Sequence, residues 1–536
     1  MNARIDLTAT TRDTAQRMLD ALRNPACYPH PVQHVDILET HISWVILTGS
    51  YAYKLKKPVN LGFLDFSSLT ARRHYCEEEL RLNHRLAPDI YLEVVAITGD
   101  CEAPQVGGNG PAIEYAVKMR EFAQSNLLGA TLARGAVTPG LLQRLASKVA
   151  AFHAAAPSAM MTPGVDTQAG VLQPALDNFK QTLALTPDAA DSAALDRVRD
   201  WTLQEHQRHV HLFARRLTEN RVRECHGDLH LGNIVLIDGV PTPFDCIEFD
   251  PALRWIDVVS EAAFLMMDLE AHGRRDLAYV FLNAYLEASG DYNGVAVLPF
   301  YLVHRAVVRA KINLLRASQR GLLPAQAARA AAAFRRYIAL AASYTQRRQG
   351  AIVITHGFSG SGKTALTEPA LAVLGAVRLR SDVERKRLHG LPALAQTGSA
   401  TGAGLYAADS TARVYRQLRE HARSIAGAGF PVIVDATFLE RAQRAIFRAL
   451  AQELGVPFTI LSIAAPHEVL RARVAARAAH AGDASEATLA VLEHQIAVHE
   501  PLSADERLHT ITLDATVDPA VAARVLSGRL IERLRQ

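Results

Sequence analysis

Cysteine is scarce in this sequence: five in 536 residues, and none of them (Cys27, Cys76, Cys101, Cys225, Cys246) stands in a C-x-x-C pair. An odd count without paired spacing excludes a disulfide framework, and the thiols read as reduced. Long apolar runs are missing as well. Stretches such as "AAFLMM" meet an acid well short of the roughly 18 residues a membrane span requires, so no membrane-spanning helix is expected. The opening "MNARIDLTATTRDTAQRML" has scattered charges and no apolar segment. It does not read as a secretory signal, and a soluble, cytoplasmic protein is expected. Excess charge of one sign is also lacking. A net +4, dispersed along the chain, is too weak to mark a nucleic-acid binder by itself, and it suits an anionic substrate equally well.

What is present is the composition of a folded globular protein, 49% hydrophobic and 21% charged. The length implies more than one core, with about three units at roughly 100 to 200 residues each. An Ala/Arg-rich helical segment over 325–350 ends in a basic break at Gly350, and "AIVITHG" then opens as a buried strand. The main boundary falls near Gly350. After it, the strands "AIVITHG", "PVIVDAT" and "FTILSIA" alternate with helical stretches, the pattern of a parallel sheet covered on both faces. Before it come short strands, a polar loop with two more strands, and a helical region from about 255 to 345. "QVGGNGP", 105–111, reads as a hairpin turn. No repeat of fixed period is present.

The polar loop "ECHGDLHLGNIVLIDG", 224–239, runs into a strand, "NIVLI", and then into Asp238-Gly239, a strong two-residue hairpin signal with "PTPFDCI" as the returning arm. That hairpin brings Asp228 and Asn233 at its start beside Asp245 at its exit. Phosphoryl transfer needs a carboxylate for the acceptor hydroxyl and oxygen ligands for the magnesium on the nucleotide, and these three residue types supply both. It also needs a lysine on the phosphates and a glutamate to hold it. In "YAYKLKKPV" the period of two puts Ala52, Lys54 and Lys56 on one face, so either lysine can be the clamp. In "RRHYCEEELRLNHRLAPD" Glu79 shares a stripe with Tyr75, Leu82 and Leu86, whereas Glu78 lies with His74, Arg81 and Arg85. Glu79 is the expected partner, because an acid on an apolar face needs a buried cation. No G-x-G-x-x-G precedes the lysines, and only "LTGSYAY", with Gly49 and Ser50, offers a phosphate-covering hairpin.

"HGDLHLGN" resembles the catalytic-loop signature of the aminoglycoside phosphotransferase family, within the protein-kinase-like fold, and the resemblance covers most of 30–320. It implies that Asp228 is the catalytic base, that Asn233 and Asp245 bind magnesium, and that Asp257 in "RWIDVVSEAAF" braces the loop. His226 and His230 read as packed structural residues. The basic stretch "YLVHRAVVRAKINLLRASQRG", with His304, Arg305, Arg309 and Lys311, lies where this fold keeps its acceptor, and it favours a neutral or anionic one; an exposed basic helix is the alternative.

"GFSGSGKT" fits G-x-x-x-x-G-K-[ST] between a strand and a helix. Backbone N–H groups from Gly357 through Ser359, Gly360, Ser361 and Gly362 curl around phosphates, Lys363 reaches the outer ones, and Thr364 ligates magnesium. Asp435 ends the strand "VIVDATF" as a further magnesium-side ligand. Ala436 follows it where a motor ATPase carries a second carboxylate, which favours a kinase. "RLRSDVERKRL" places Asp382 and Arg385 after a short strand, and Arg473 and Arg477 lie four apart ahead of a Gly/Asp/Ser turn, as on a lid. The set resembles the small P-loop kinases that include polynucleotide 5′-kinase, gluconate kinase, zeta-toxin-like and chloramphenicol phosphotransferase enzymes. By that resemblance Asp382 is the acceptor base, Arg385 a substrate contact and Arg473 or Arg477 the lid arginine. A helix N-cap is the alternative for Asp382, and a solvated helix face for the two arginines. Arg441 and Arg444 suit either substrate binding or a surface helix.

The expected fold is an α+β bilobal protein-kinase-like N-terminal module over 1–345 (N-lobe about 30–120, C-lobe about 121–345), followed by an α/β P-loop NTPase domain with a parallel sheet over 350–536. The fusion resembles bacterial proteins called bifunctional aminoglycoside phosphotransferase/ATP-binding proteins. The expected activity is transfer of the γ-phosphate of ATP, with Mg2+, to a small-molecule or nucleic-acid-end hydroxyl at each of two sites. A nucleotide-sensing regulatory module and a polynucleotide 5′-hydroxyl kinase are the competing expectations.

Overall fold

The structure is a computed structural model that describes the chain except residues 1–8, 61–63, 164–169, 187, 320–321, 347–348, 394, 396–406, 479–484 and 536. It divides into two compact units, one made of 1–137, 152–171 and 214–265, the other of 138–151, 172–213 and 266–536.

The first unit is built on a six-stranded sheet of β1 (Asp36–Glu39), β2 (Ser43–Leu47), β3 (Tyr51–Lys56), β4 (Tyr91–Gly99), β5 (Pro104–Val106) and β6 (Ala112–Arg120), in the order β1-β2-β3-β6-β4-β5. Alternation along β3 decides what each face does. Tyr53 and Leu55 enter a core with Leu22, Ile46 and Ile97, while Ala52 packs with Cys76, Tyr91 and Val117. Lys54 and Lys56 share the Ala52 face. The helix Leu69–Asn83 covers that face, and the Ser68 side chain caps it by accepting the Ala71 N–H. The turn expected at 105–111 is displaced. β4 and β5 form the hairpin, closing over 100–103, and 107–111 leads to β6 on the other edge of β4.

Farther along, β7 (Val222–Glu224) pairs with β10 (Trp255–Asp257), and between them stands the hairpin of β8 (Ile234–Ile237) and β9 (Val240–Pro243). Asp238 and Gly239 form its turn with φ of 50° and 76°, the double left-handed conformation that matches strand twist.

The second unit contains a five-stranded, all-parallel sheet of β11 (Ala351–His356), β12 (Val377–Arg380), β13 (Pro431–Asp435), β14 (Phe458–Ala464) and β15 (Thr510–Asp514), in the order β12-β13-β11-β14-β15. β11 is buried throughout, as its unbroken apolar run requires of a central parallel strand. The helices Arg275–Ser289, Leu298–Ala317 and Pro324–Tyr344 lie where a helical region is expected over 255–345, and they belong to this unit, although the sequence reading places them with the module 1–345.

The helices Leu128–Ala133, Pro139–Ala155, Leu172–Leu185 and Ala189–Thr218 correct the sequence reading, which passes from strands directly to the polar loop. Ala189–Thr218 is 30 residues of mostly polar sequence, and its few deeply buried apolar positions include Leu195, Val198 and Phe213, too sparse a stripe to stand out.

Two candidate active sites

At the first site two lysines converge on one glutamate. Lys54 Nζ donates to Glu79 Oε1 at 2.7 Å and to Asp245 Oδ1 at 2.5 Å. Lys56 Nζ donates to the other oxygen of Glu79 and to Glu248. Exposure separates them: the Lys54 side chain is 13% exposed and faces Asp245, itself 41% exposed, whereas Lys56 is sealed at 0%. Burial works against the charge on Lys54, yet Asp245 and Glu79 hold its ammonium well above the ordinary lysine range. Glu79 is fully buried, which works against its charge, yet its two lysines pull the carboxyl down to about 2. Glu248 has burial and the nearby Glu79 against it and Lys56 as its close partner, so its carboxyl is raised. The sequence reading passes over Glu248. Its signal is an acid three residues after Asp245, set between Ile247 and Phe249 in "FDCIEFD".

Asp245 is held in the left-handed region at φ 64°, a conformation that costs a non-glycine residue energy and is kept only where its surroundings fix it. Those surroundings are the Tyr91 hydroxyl, which accepts the Asp245 N–H at 3.1 Å, and Asn83 Oδ1, which accepts the Cys246 N–H at 2.9 Å. Asn233 Nδ2 donates to the Asp228 carboxylate at 2.9 Å and to the Asp228 carbonyl at 3.1 Å. His230 Nε2 lies 3.3 Å from the same carboxylate. His226 is fully buried; its Nε2 meets the Phe244 carbonyl at 2.8 Å and its Nδ1 accepts the Asp228 N–H at 3.3 Å, which fixes one tautomer. Burial lowers its pKa, so the ring is neutral and structural.

The loop is anchored from below by a residue the sequence reading omits. Glu261 accepts the Gly227 N–H at 2.7 Å and pairs with His153 at 2.8 Å. Gly227 has φ 89°, and a Cβ there would stand 2.8 Å from the Leu253 carbonyl. Asp257 accepts from Arg216 at 2.6 and 2.8 Å and from the Val259 N–H at 2.9 Å.

Gly49 and Ser50 do not sit where a phosphate cover is expected. They turn β2 into β3 at the Ala52 end, and the Thr48 and Gly49 N–H groups are given to Glu121 at 2.9 and 2.8 Å. The turn at the Lys56 end joins β1 to β2 through Thr40, His41 and Ile42, with no glycine. The register is the reason: Ser43 pairs with Lys56 and Leu47 with Ala52.

The second site forms where β11 runs into the loop 357–362 and then the helix Lys363–Leu374. Gly357, Gly360 and Gly362 have φ of 151°, 84° and 86°, and a Cβ on Gly357 would lie 2.6 Å from the Ile463 carbonyl. Lys363 Nζ donates to the Gly357 and Phe358 carbonyls at 3.0 and 2.8 Å. The Thr364 hydroxyl donates to Asp435 Oδ2 at 2.6 Å, because β13 lies directly beside β11. Within the loop, Ser361 is fully buried.

Asp382 is the second residue of the helix Ser381–Leu388; the N-cap is Arg380, without a side-chain cap bond, so capping does not account for the aspartate. Arg385 is buried and donates to the Thr411 hydroxyl at 3.2 Å. Arg473 is exposed, its Nη2 donating to the Ala515 carbonyl at 2.8 Å, and a Cβ on Gly362 would lie 3.8 Å from its Nη1. The side chain of Arg477 lies outside the described residues. Arg444 is not on a surface face of its helix: it is 1% exposed and bonds Glu506 at 2.7 and 3.1 Å. Lys311 is bonded to Asn178 and Gln181, and Arg309 lies over the Tyr337 ring at 5.8 Å, so these cations take part in helix packing.

Gln495, also passed over in the sequence, clasps the phosphate loop from the helix Leu489–Val498. Its Oε1 accepts the Ser359 N–H at 2.9 Å and its Nε2 donates to the Ser359 hydroxyl at 3.0 Å.

Residues 64–298 match the family model described as "Phosphotransferase enzyme family", and 352–502 match one described as "AAA domain". The chain is an enzyme of the kinase and phosphotransferase class, with a kinase-like α+β region preceding a P-loop α/β domain. It is 32% identical over 473 residues to "Uncharacterized protein Rv2004c" of Mycobacterium tuberculosis, covering 87% of this chain and 91% of that one. It belongs to the family of that mycobacterial protein. Among solved structures, a choline/ethanolamine kinase family protein from Mesorhizobium loti is 13% identical, covers 62% of this chain and 99% of its own, and has a TM-score of 0.35. A gluconokinase from Sinorhizobium meliloti 1021 is 22% identical, with 35% and 98% covered and a TM-score of 0.25. Among the described residues no helix is long and apolar enough to cross a membrane.

Proposed function

We propose that the chain carries two ATP-dependent phosphotransferase sites, one around Asp228 in the module 1–345 and one around Lys363 in the module 350–536. The observation that carries the reading is Lys54, held between Glu79 and Asp245 at 2.7 and 2.5 Å: a partly exposed cation aimed at the residue suited to a nucleotide's metal. At the first site Lys54 holds phosphate oxygens and Asp228 takes the proton of the acceptor hydroxyl. The acceptor oxygen bonds to the γ-phosphorus as the bond to ADP breaks. Asn233 steadies Asp228 and, with Asp245, offers oxygen ligands to Mg2+.

At the second site the loop 357–362 and Lys363 hold the triphosphate, Asp382 accepts the acceptor proton, and Arg385 contacts the acceptor. Arg473 or Arg477 acts as the lid arginine for the transferring phosphate. The contact of Thr364 with Asp435 at 2.6 Å supports a Mg2+ site, since a hydroxyl and a carboxylate already converge there. In both sites bound Mg2+ would neutralise charge on the phosphates. The acceptor is a small-molecule hydroxyl, or at the second site a nucleic-acid 5′ end.

A second reading makes the first module a nucleotide sensor, favoured by the glycine-free turn beside Lys56. Separate Asp228→Asn and Lys363→Ala variants, assayed with γ-labelled ATP over a panel of hydroxyl acceptors, test both readings. Each is expected to abolish one independent activity. If Asp228→Asn left all turnover intact, the first site would be a sensor.

A further inference from the structure

The strand β12 is an edge strand of the parallel sheet, and it delivers the chain into the helix that carries Asp382 and Arg385. An edge strand leaves backbone groups unpaired on its outer side. Here those groups meet a side chain. Asn283, on the helix Arg275–Ser289, donates from Nδ2 to the Ala376 carbonyl at 3.0 Å and accepts the Arg378 N–H on Oδ1 at 2.8 Å, as a neighbouring strand would.

Asn283 does not act alone. Arg275, Tyr279, Asn283 and Glu287 recur every four residues and form one stripe of that helix. At the first end of the stripe, Arg275 and Tyr279 close on Gly375, where a Cβ would stand 2.4 Å from Arg275 Nη2 and 3.0 Å from the Tyr279 hydroxyl. At the far end, Glu287 pairs with Arg380 at 3.1 Å through its carboxylate and accepts from Arg387 through its carbonyl. Arg380 and Arg387 flank Asp382 and Arg385 in sequence. The helix Arg275–Ser289 lies within the segment that matches the phosphotransferase family model, whereas β12 lies within the segment that matches the AAA model.

We propose that Asn283 and Glu287 are positioning residues for the acceptor side of the P-loop site, so that this site is completed by a helix of the phosphotransferase segment. The inference rests on the reading of 380–387 as the acceptor arm. The clamp fixes the strand and the helix start that carry Asp382 and leaves the loop 357–362 to the nucleotide.

The test uses the full chain with Asn283→Asp, which replaces the donor to Ala376 with a second acceptor, and Glu287→Gln, a mild change to a side chain 25% exposed. Backbone amide exchange is followed over 376–388 and 357–366, together with Lys363-dependent transfer from γ-labelled ATP. Exchange over 376–388 is expected to rise about tenfold in Asn283→Asp, with 357–366 within about twofold of the parent. Transfer should fall in kcat by about tenfold while the KM for ATP holds. Exchange over 376–388 unchanged in both variants, or protection lost evenly across 351–535, overturns the clamp. A parent protein with no Lys363-dependent transfer would count against the kinase reading alone, because the exchange measurement still decides the clamp.

Discussion

Lys54 and Lys56 share Glu79, but their second partners differ, and so do the expected consequences of losing each. Lys54 turns toward Asp245 and is partly exposed, so Lys54→Met should cut Asp228-dependent turnover by roughly 10²-fold, the scale of one lost transition-state donor. Lys56 lies sealed between Glu79 and Glu248, and removing it strands buried carboxylates, a loss of about 3 to 5 kcal/mol. Urea midpoints should therefore fall for Lys56→Met and recover in part when Glu248→Leu is added. The sequence already puts the two lysines on one strand face and Glu79 on the apolar stripe of a helix, since period 2 and period 3.6 are local patterns. Glu248 is invisible in that reading because its role comes from a partner 192 positions away. A third prediction belongs to His356, 8% exposed, whose pKa burial lowers from 6.5 to about 4. The unfolded ring takes a proton near 6.5 and the folded ring only near 4, so between those values the unfolded state binds more protons and stability is lost as pH falls. The slope is about 1.4 kcal/mol per pH unit, for a total of at most about 3 kcal/mol. Urea midpoints at pH 7, 5.5 and 4.5 should show His356→Gln losing less than the parent on acidification; equal losses would remove the ring from the account.

Elements separate by how local their causes are. The hairpin of β8 and β9 is legible because Asp238-Gly239 selects its turn without help, and the P-loop because strand, glycines and helix follow one another in sequence. The placement of Gly49 and Ser50 is not legible: two hairpin turns flank β2, and only the register tells which lies beside Lys56. The helix Ala189–Thr218 escapes for another reason, since a polar helix buries too few apolar side chains to show a stripe. Gly350 sits between these cases. As the end of a basic helical stretch it reads as punctuation, but a Cβ there would stand 2.1 Å from the Ala426 carbonyl. Gly350→Ala is expected to destabilise the second unit by about 1 to 3 kcal/mol, the cost of overpacking against backbone. The urea midpoint of the P-loop region, followed by amide exchange along β11, checks it.

For the molecule as a whole, a boundary drawn at a sequence break differs from one drawn by packing. The break near Gly350 falls just before the segment that matches the AAA model, which starts at 352, whereas the second compact unit reaches back to Met266 and takes in 138–151 and 172–213 as well. Helix Arg275–Ser289 supplies the hydrogen-bond partners of β12, and Asn283 is far too distant in sequence for any local pattern to announce that role. A fragment beginning at 350 therefore loses the cover of its edge strand. It leaves the Ala376 carbonyl and the Arg378 N–H to water, and exposes a strand whose Val377 and Leu379 are otherwise fully buried. Such a fragment should be less soluble and should unfold at lower urea than one spanning 266–536, by about 1 to 3 kcal/mol for the two backbone groups alone. Urea midpoints of the two fragments, followed by the same probe, decide the matter. Equal midpoints would mean that the P-loop domain holds its acceptor strand without the helix.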